Sequence, residues 1–419
     1  MEHAMKYFSF VKTNGRFLAF GLIMALFSGF GQTYFIALFS AELRAAFGLT
    51  HGGFSSIYAA ATLASGLCVI WLGRKIDQVD LRLYAVLVCV GLILGCFLMS
   101  VVPSVALLYF SIFAMRLTGQ GLMSHTSVTS MVRYFEGERG KAVSIAALGF
   151  PAGAAVFPLI GVALNRTLGW RGAWSAIGVV LAVTLIPLIL WLLKGHGERH
   201  RRFLKRAVGA GTAAGLSIRQ WTRREVFRDL RFYLILPSVV APSFIMTGFF
   251  FHQVHLVEAK AWSMTWFAAC YVAFSAATIA TSLLSGPLID RVGAWRLMPF
   301  VCPPMGVALW ILAAADSPIV ALLFLTVSGV TSGANFTIVG AVWAELYGVA
   351  HVGAIRATVA ALMVFASALS PVSMGRLIDR GITMETIAVL CLGYVIIATV
   401  VVWFAGRRPA NPAFLENQE

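Results

Sequence analysis

Long apolar runs alternate with short polar breaks from one end of this chain to the other. Twelve of the runs are about 20 residues long, the length that spans a hydrocarbon core of about 30 Å. They fall near residues 17-40, 54-73, 82-102, 105-131, 141-165, 172-193, 232-257, 264-289, 295-315, 318-347, 352-378 and 384-406. Lipid offers no partner for an unpaired backbone group, so each run is expected to be a helix, and the Gly and Pro inside several of them are no obstacle. The first run exceeds the roughly 7 to 15 residues of a signal-peptide core and is expected to be retained. The predicted class is an all-α membrane protein with twelve transmembrane helices.

The one long polar stretch, 194-231, follows the sixth run and carries 11 of the basic residues. It divides the chain into an N-terminal six-helix bundle (1-193), a basic linker (194-231) and a C-terminal six-helix bundle (232-419). In "IRQWTRREVFRDLRFY", Trp221, Glu225 and Arg228 stand at helical spacing, which predicts an amphipathic helix on the inner membrane surface; a solvated basic loop is the alternative. Composition agrees with a bilayer as solvent: 59% of residues are hydrophobic and 12% charged, against roughly 25% charged in soluble domains.

The formal net charge of +15 raises nucleic acid as a partner, but its distribution argues for topology. With the N-terminus inside, 25 of the 32 Lys and Arg fall in inner segments and 6 in outer loops, the positive-inside asymmetry. Both termini are therefore expected in the cytoplasm, in an inner (plasma) membrane, with the excess charge facing anionic head groups. Six cysteines all lie in apolar runs without metal-ligand spacing and read as small packing residues.

A fixed offset reveals an internal repeat. Adding 213 carries Gly73 to Gly286, Asp77 to Asp290, Tyr134 to Tyr347, Gly140 to Gly353 and Pro158 to Pro371. Gly-x-x-Ile-Asp occurs as "GRKID" (73-77), "GPLID" (286-290) and "GRLID" (375-379), closing spans two, eight and eleven; a weakened form, Gly161 to Asn165, closes span five. The signature thus marks the middle helix of each group of three. Two parallel halves, each with a 3+3 inverted repeat, describe a transporter architecture with its site near the midplane.

On these residues the chain resembles the major facilitator superfamily over essentially its whole length, and "GRKIDQVDLR" is similar to that superfamily's inner-loop signature. Residues 133-161, "RYFEGERGKAVSIAALGFPAGAAVFPLIG", resemble the monocarboxylate porter and oxalate-formate antiporter branch through Tyr134, Phe135, Arg139, Ala142, Ala146, Gly149 and Gly153. Glu138, Ser144 and Leu148 depart from the branch pattern, while "GWRGAW" (169-174) again looks like it. The resemblance implies alternating access with a small organic anion, coupled to protons or exchange. The branch's implied carboxylate-holding base in span eight has no counterpart, because 264-289 contains no Lys or Arg.

Arg116 is the sharpest candidate, since a guanidinium inside a span is costly unless it faces protein or water. It is predicted either to clamp a carboxylate through paired hydrogen bonds or to bond carbonyls of span one. Gln120 and Ser124 share its helical face. Gln32 and Tyr34 in span one, with Ser28 and Thr33, and His252, Gln253 and His255 in span seven, offer two further polar clusters. Asn335 in span ten is another cavity candidate. His252 is also the candidate for proton coupling, because imidazole titrates near neutrality; His125 reads as structural. Gating is expected from Asp77, Arg82, Arg133, Glu136 and Glu138 at the inner face, and from Asp290 with Arg291, the carboxylates favoured at helix N-termini.

No Gly-rich phosphate loop appears, and no nucleophile-base or metal-ligand constellation falls at helical spacing. A membrane enzyme or sensor is therefore disfavoured, no cofactor or nucleic acid is expected, and the chain is expected to work as a monomer. The closer rival is a transporter of a drug, siderophore or sugar derivative.

Overall fold

The computed structural model describes residues 2–135, 138–200, 221–348 and 352–406, and every regular element among them is helical. Eleven stretches are long and apolar enough to cross a membrane, and one of these, Arg139–Leu192, is long enough for two crossings. Gly169 divides it, with φ at 65°, a left-handed backbone that only glycine adopts without cost. Spans five and six therefore meet at a one-residue corner, and the twelve spans read from hydropathy are all present. Arg171, just past the corner, donates to the Ser100 and Val102 carbonyls at the end of span three (Leu81–Val101) and stacks on Trp170.

Packing divides the chain into two compact units, Met1–Glu42 with Ala60–Ala213, and Leu43–Ala59 with Ala214–Glu419. The divide does not fall only in the linker. Leu43–Ala59, which holds the end of span one and the first turns of span two (His51–Leu72), belongs with the C-terminal six spans.

Small residues set the close crossings in each unit, because helices in lipid associate through intimate packing. In the first unit, a Cβ on Gly149 or Gly153 of span five would lie 2.3 Å from the Leu22 carbonyl oxygen or 2.7 Å from that of Leu26 in span one. Phe157, one turn further, stacks on Phe30 at 4.2 Å. In the second unit, Gly329 and Gly333 of span ten (Ile319–Ala334, continuing to Tyr347) lie against the Phe274 and Thr278 carbonyls of span eight (Met264–Val292). Thr278 and Ser282 return hydrogen bonds to the Gly329 and Gly333 carbonyls at 3.2 and 3.3 Å.

The linker begins docked on the first unit, where His196 stacks on Phe17 and meets Tyr134 edge-on. Residues 201–220 lie outside the described residues, and with them the first three residues, 218–220, of the predicted amphipathic helix. Its described part forms one turn, Arg223–Val226, started by a reciprocal Thr222–Glu225 capping box at 2.7 and 3.4 Å. Asp229 then caps a fresh start at Leu230, the first residue of span seven (Leu230–Phe251). Of the three residues at helical spacing only Glu225 lies within that turn; Trp221 precedes it and Arg228 follows it, before span seven begins.

Candidate functional site

In the first unit the polar centre is built where span one breaks. Its long helix ends at Phe27, tightens through Ser28–Gly31, becomes extended at Gln32 (φ −80°, ψ 155°) and resumes at Thr33. An extended residue inside a span leaves carbonyls without helical partners, and these must be satisfied from elsewhere. Arg116 does so. Its side chain is 2% exposed, and its guanidinium donates to the Gly31 carbonyl at 3.2 Å, to Thr33 Oγ1 at 3.4 Å and to Thr62 Oγ1 of span two at 3.1 Å.

Span four itself loosens at this point. Its α-helix Val105–Met115 passes into a π-helical segment, Arg116–Met123, before resuming at Ser124–Tyr134. Such widened turns recur at functional positions. Gly31 and Gly119 cross at backbone contact: a Cβ on Gly31 would sit 2.3 Å from the Met115 carbonyl oxygen and 2.6 Å from the Gln120 nitrogen. Gln32, Tyr34, Gln120 and Ser124 are brought around this crossing by spans one and four, with Tyr34 buried and Ser124 Oγ buried without a hydrogen-bond partner among the described residues. His125 lies away from it and meets the Gly73 carbonyl at 3.1 Å, fastening "GRKID" to span four.

The predicted inner-face network resolves into separate contacts. Arg133 pairs with Asp77 at 3.2 Å and also donates to the Ile76 carbonyl at 3.1 Å. Arg82 instead donates to the Leu193 carbonyl, and Glu138 pairs with Lys141. Glu136 lies outside the described residues. In the second unit Asp290 and Arg291 are exposed in the last turn of span eight.

The second unit's polar centre sits where span seven ends. The helix stops at Phe251, His252 turns the chain, and Gln253–Ala259 forms a further short helix. Gln253 is fully buried and accepts from the Tyr271 hydroxyl at 2.9 Å. His252, 3% exposed, has Nε2 2.9 Å from the Pro371 carbonyl of span eleven (Val352–Asp379). Asn335 opens a π-helical turn, Asn335–Val339, with its Oδ1 buried and unpartnered. Ser328 and Thr331 share its face at i−7 and i−4, and their buried hydroxyls, like the Asn335 Oδ1, have no partner among the described residues.

Several polar residues here were not singled out from the sequence. His51 lies against His255, with ring centroids 4.6 Å apart, and 5.8 Å from His252. Asp379, from "GRLID", accepts from the His51 and Gly52 backbone N–H groups at 3.0 and 2.8 Å, capping span two. Lys260, its side chain 1% exposed, bridges Asp316 and Glu385, the latter at 2.8 Å. Burial works against its charge, but the hydrogen bonds it donates to those two carboxylates outweigh it and raise its pKa above the ordinary lysine value. Glu345 caps Ala294 and Trp295 at the start of span nine. The partners in these contacts are 50 to 328 positions apart, so no local spacing announces them.

Comparison with known proteins agrees with this architecture. The family model of the Major Facilitator Superfamily matches residues 21–327 and 271–419. A mouse (Mus musculus) protein, monocarboxylate transporter 6, is 31% identical over 131 residues; the match spans 30% of this chain and 27% of that relative. A bacterial homolog to the human lysosomal transporter Spinster, solved inward-facing and unoccupied, superposes with a TM-score of 0.65 at 13% identity, covering 93% of this chain and 96% of that one. Its occupied inward-facing form gives 0.65 at 15% identity over 96% of this chain and 97% of its own. The likeness to Spinster is one of fold. With twelve spans, the internal repeat and a family match running through both halves, this chain belongs to the Major Facilitator Superfamily.

Proposed function

We propose that this protein is a secondary active transporter that moves a small organic anion, monocarboxylate-like, by alternating access, driven by the proton gradient or by exchange. The observation that carries the substrate class is the monocarboxylate-branch pattern at 133-161, taken together with the local similarity to monocarboxylate transporter 6. In this reading Arg116 serves as a fixed cation whose field favours an anion, while it also holds the span-one break open. Gln32, Tyr34, Gln120 and Ser124 supply neutral hydrogen-bonding groups, and His252, Gln253 and Asn335 supply the corresponding set from the C-terminal half. His252 carries the coupling proton. Asp77 with Arg133 forms an inner-face pair that must part during the cycle, and Arg82, Glu136, Asp290 and Arg291 belong to the same gating surface. The protein works as a monomer in an inner (plasma) membrane with both termini cytoplasmic.

One observation favours a second reading. The Arg116 donors go to Gly31, Thr33 and Thr62, which is the structural alternative for this residue. A transporter of a drug, siderophore or sugar derivative would use the same scaffold without an anion clamp. Counterflow in proteoliposomes against a panel of labelled carboxylates, amines and sugars tests the two. Exchange of carboxylates alone is expected, and exchange restricted to amines or sugars overturns the anion reading.

A further inference from the structure

The third copy of Gly-x-x-Ile-Asp ends in a clasp, and three imidazoles stand beside it. Asp379 holds the first two N–H groups of span two, at His51 and Gly52, through both carboxylate oxygens. These N–H groups have no partner within their own helix, and a carboxylate there is favoured by the helix dipole as well. The approach is close. Gly375, one turn before Asp379, would bring a Cβ within 2.6 Å of Ser55 Oγ, and Gly52 would bring one within 2.7 Å of the Asp379 carboxylate. Phe54 of span two stacks on Phe251, the last residue of span seven, and Tyr58 meets the same ring at a tilt. All of these residues belong to the second unit, whereas span two from Ala60 onward belongs to the first.

The imidazole of His51, the clasped residue, packs 4.6 Å from that of His255 and 5.8 Å from that of His252. Arg44 adds a positive charge to the group, lowering both His252 and His255. Asp379, Glu258 and Glu385 are the carboxylates that face the cluster, and the Arg376 side chain lies against Gly52. Asp379 is already engaged by two backbone donors. Among the described residues no group of His, Cys, Asp and Glu here has metal-binding geometry.

We propose that His51, His252 and His255 form a proton-binding site whose occupation releases the Asp379 clasp on span two, so that proton uptake unfastens the start of that span. This rests on the proton-coupled reading of the transport cycle and assigns it a site and a mechanical output. The sign follows from the packing. Burial, which disfavours the charged ring, lowers His252 and His255 in the clasped form, so that form is favoured when the rings are neutral. Its advantage is full above the ordinary imidazole pKa and is lost as pH falls below it.

The test needs no substrate. Ser55→Cys places a thiol beneath the clasp, and Ser317→Cys places one on an exposed outer loop as the reference. Both are labelled with an impermeant maleimide in proteoliposomes of the full chain and read by peptide mass spectrometry. Relative to position 317, labelling at 55 is expected to rise about five-fold or more between about pH 8 and about pH 5.5. Asp379→Asn is expected to give fast labelling at both pH values, and His51→Gln with His255→Gln slow labelling at both. A ratio that does not change with pH, or one unmoved by Asp379→Asn while position 317 still labels normally, overturns the proposal. Proton-driven uptake persisting alongside a flat labelling ratio would place coupling elsewhere and leave the transport reading intact.

Discussion

Arg116 illustrates how a single charge in lipid must be spent. The guanidinium meets one carbonyl and two hydroxyls from two neighbouring spans, so its removal leaves several buried acceptors unserved. Each unsatisfied group costs about 1–3 kcal/mol, and Arg116→Gln, which reaches at most one of them, is expected to lower the melting temperature of the purified protein and to abolish uptake together. Arg116→Lys should fall between, since an ammonium is a point donor without the planar fork. Loss of carboxylate uptake with unchanged melting would instead identify a group that acts on substrate alone. Lys260 differs because one of its partners is wet: the Asp316 side chain is 77% exposed, that of Glu385 35%. Asp316→Asn is therefore expected to cost less than about 1 kcal/mol, whereas Lys260→Met strands Glu385 and should cost more. Since the ammonium pKa is raised in the folded protein, this contribution is complete below the ordinary lysine pKa and is lost as pH rises through the raised value. A melting series on the alkaline side, with Lys260→Met as the flat reference, checks the sign. Arg116 was legible because a cation interrupts an apolar run. Lys260 read only as a loop charge and Asp379 only as the end of a repeated motif, because their partners come from distant turns of the chain.

Helices in this protein are interrupted where they do most. The polar cluster and glycines of "SGFGQ" interrupt the apolar run of span one, and the structure breaks the helix there, at Gln32. The π turns at Arg116 and Asn335 left no such mark, since an extra residue in a turn changes neither composition nor hydropathy. The linker shows the opposite error, a periodic pattern that is not one helix. Thr222–Glu225 and Asp229 provide two N-terminal caps seven residues apart, so the chain starts two helices and the shared spacing of Trp221, Glu225 and Arg228 loses its meaning. The glycines permit a sharper test. Gly31→Ala drives a methyl group into the Met115 carbonyl and the Gln120 nitrogen, both backbone, and nothing there can rotate aside. Overpacking of this kind costs about 1–3 kcal/mol or more, and the variant is expected to melt earlier and to transport poorly. Gly140→Ala, in the helix Arg139–Ala147 with nothing within 4 Å of the new methyl, should be neutral or stabilising by about 0.4–1 kcal/mol. Equal effects of the two substitutions on melting would remove the crossing of spans one and four from this account.

Twelve spans and their repeat could be counted from hydropathy and one offset because a bilayer enforces both length and internal hydrogen bonding. How the chain partitions into packed units could not, since Leu43–Ala59 crosses to the C-terminal unit through contacts between residues hundreds of positions apart. The three Gly-x-x-Ile-Asp copies take their meaning from that partition. "GRKID" closes span two with Asp77 on Arg133 in the first unit, "GRLID" closes span eleven with Asp379 on the start of span two in the second, and Asp290 of "GPLID" is exposed. One sequence motif thus ends a helix each time, while its carboxylate finds a different kind of partner. For the first and third copies to act on opposite faces as proposed, span two must run outward to inward from His51 to Asp77, the direction that the charge asymmetry predicts. With 25 Lys and Arg in segments on one side and 6 on the other, the N-terminus, the linker and the C-terminus are expected on the cytoplasmic side. A fluorescent protein fused after Glu419 is expected to fold and glow in a bacterial host, and alkaline phosphatase at the same position to be inactive. Fusions after Lys260, in the loop between spans seven and eight, should show the reverse pair. If the phosphatase is active at 419 and silent at 260, the orientation inverts, Asp379 faces the cytoplasm, and a pH step applied from outside no longer reaches the clasp.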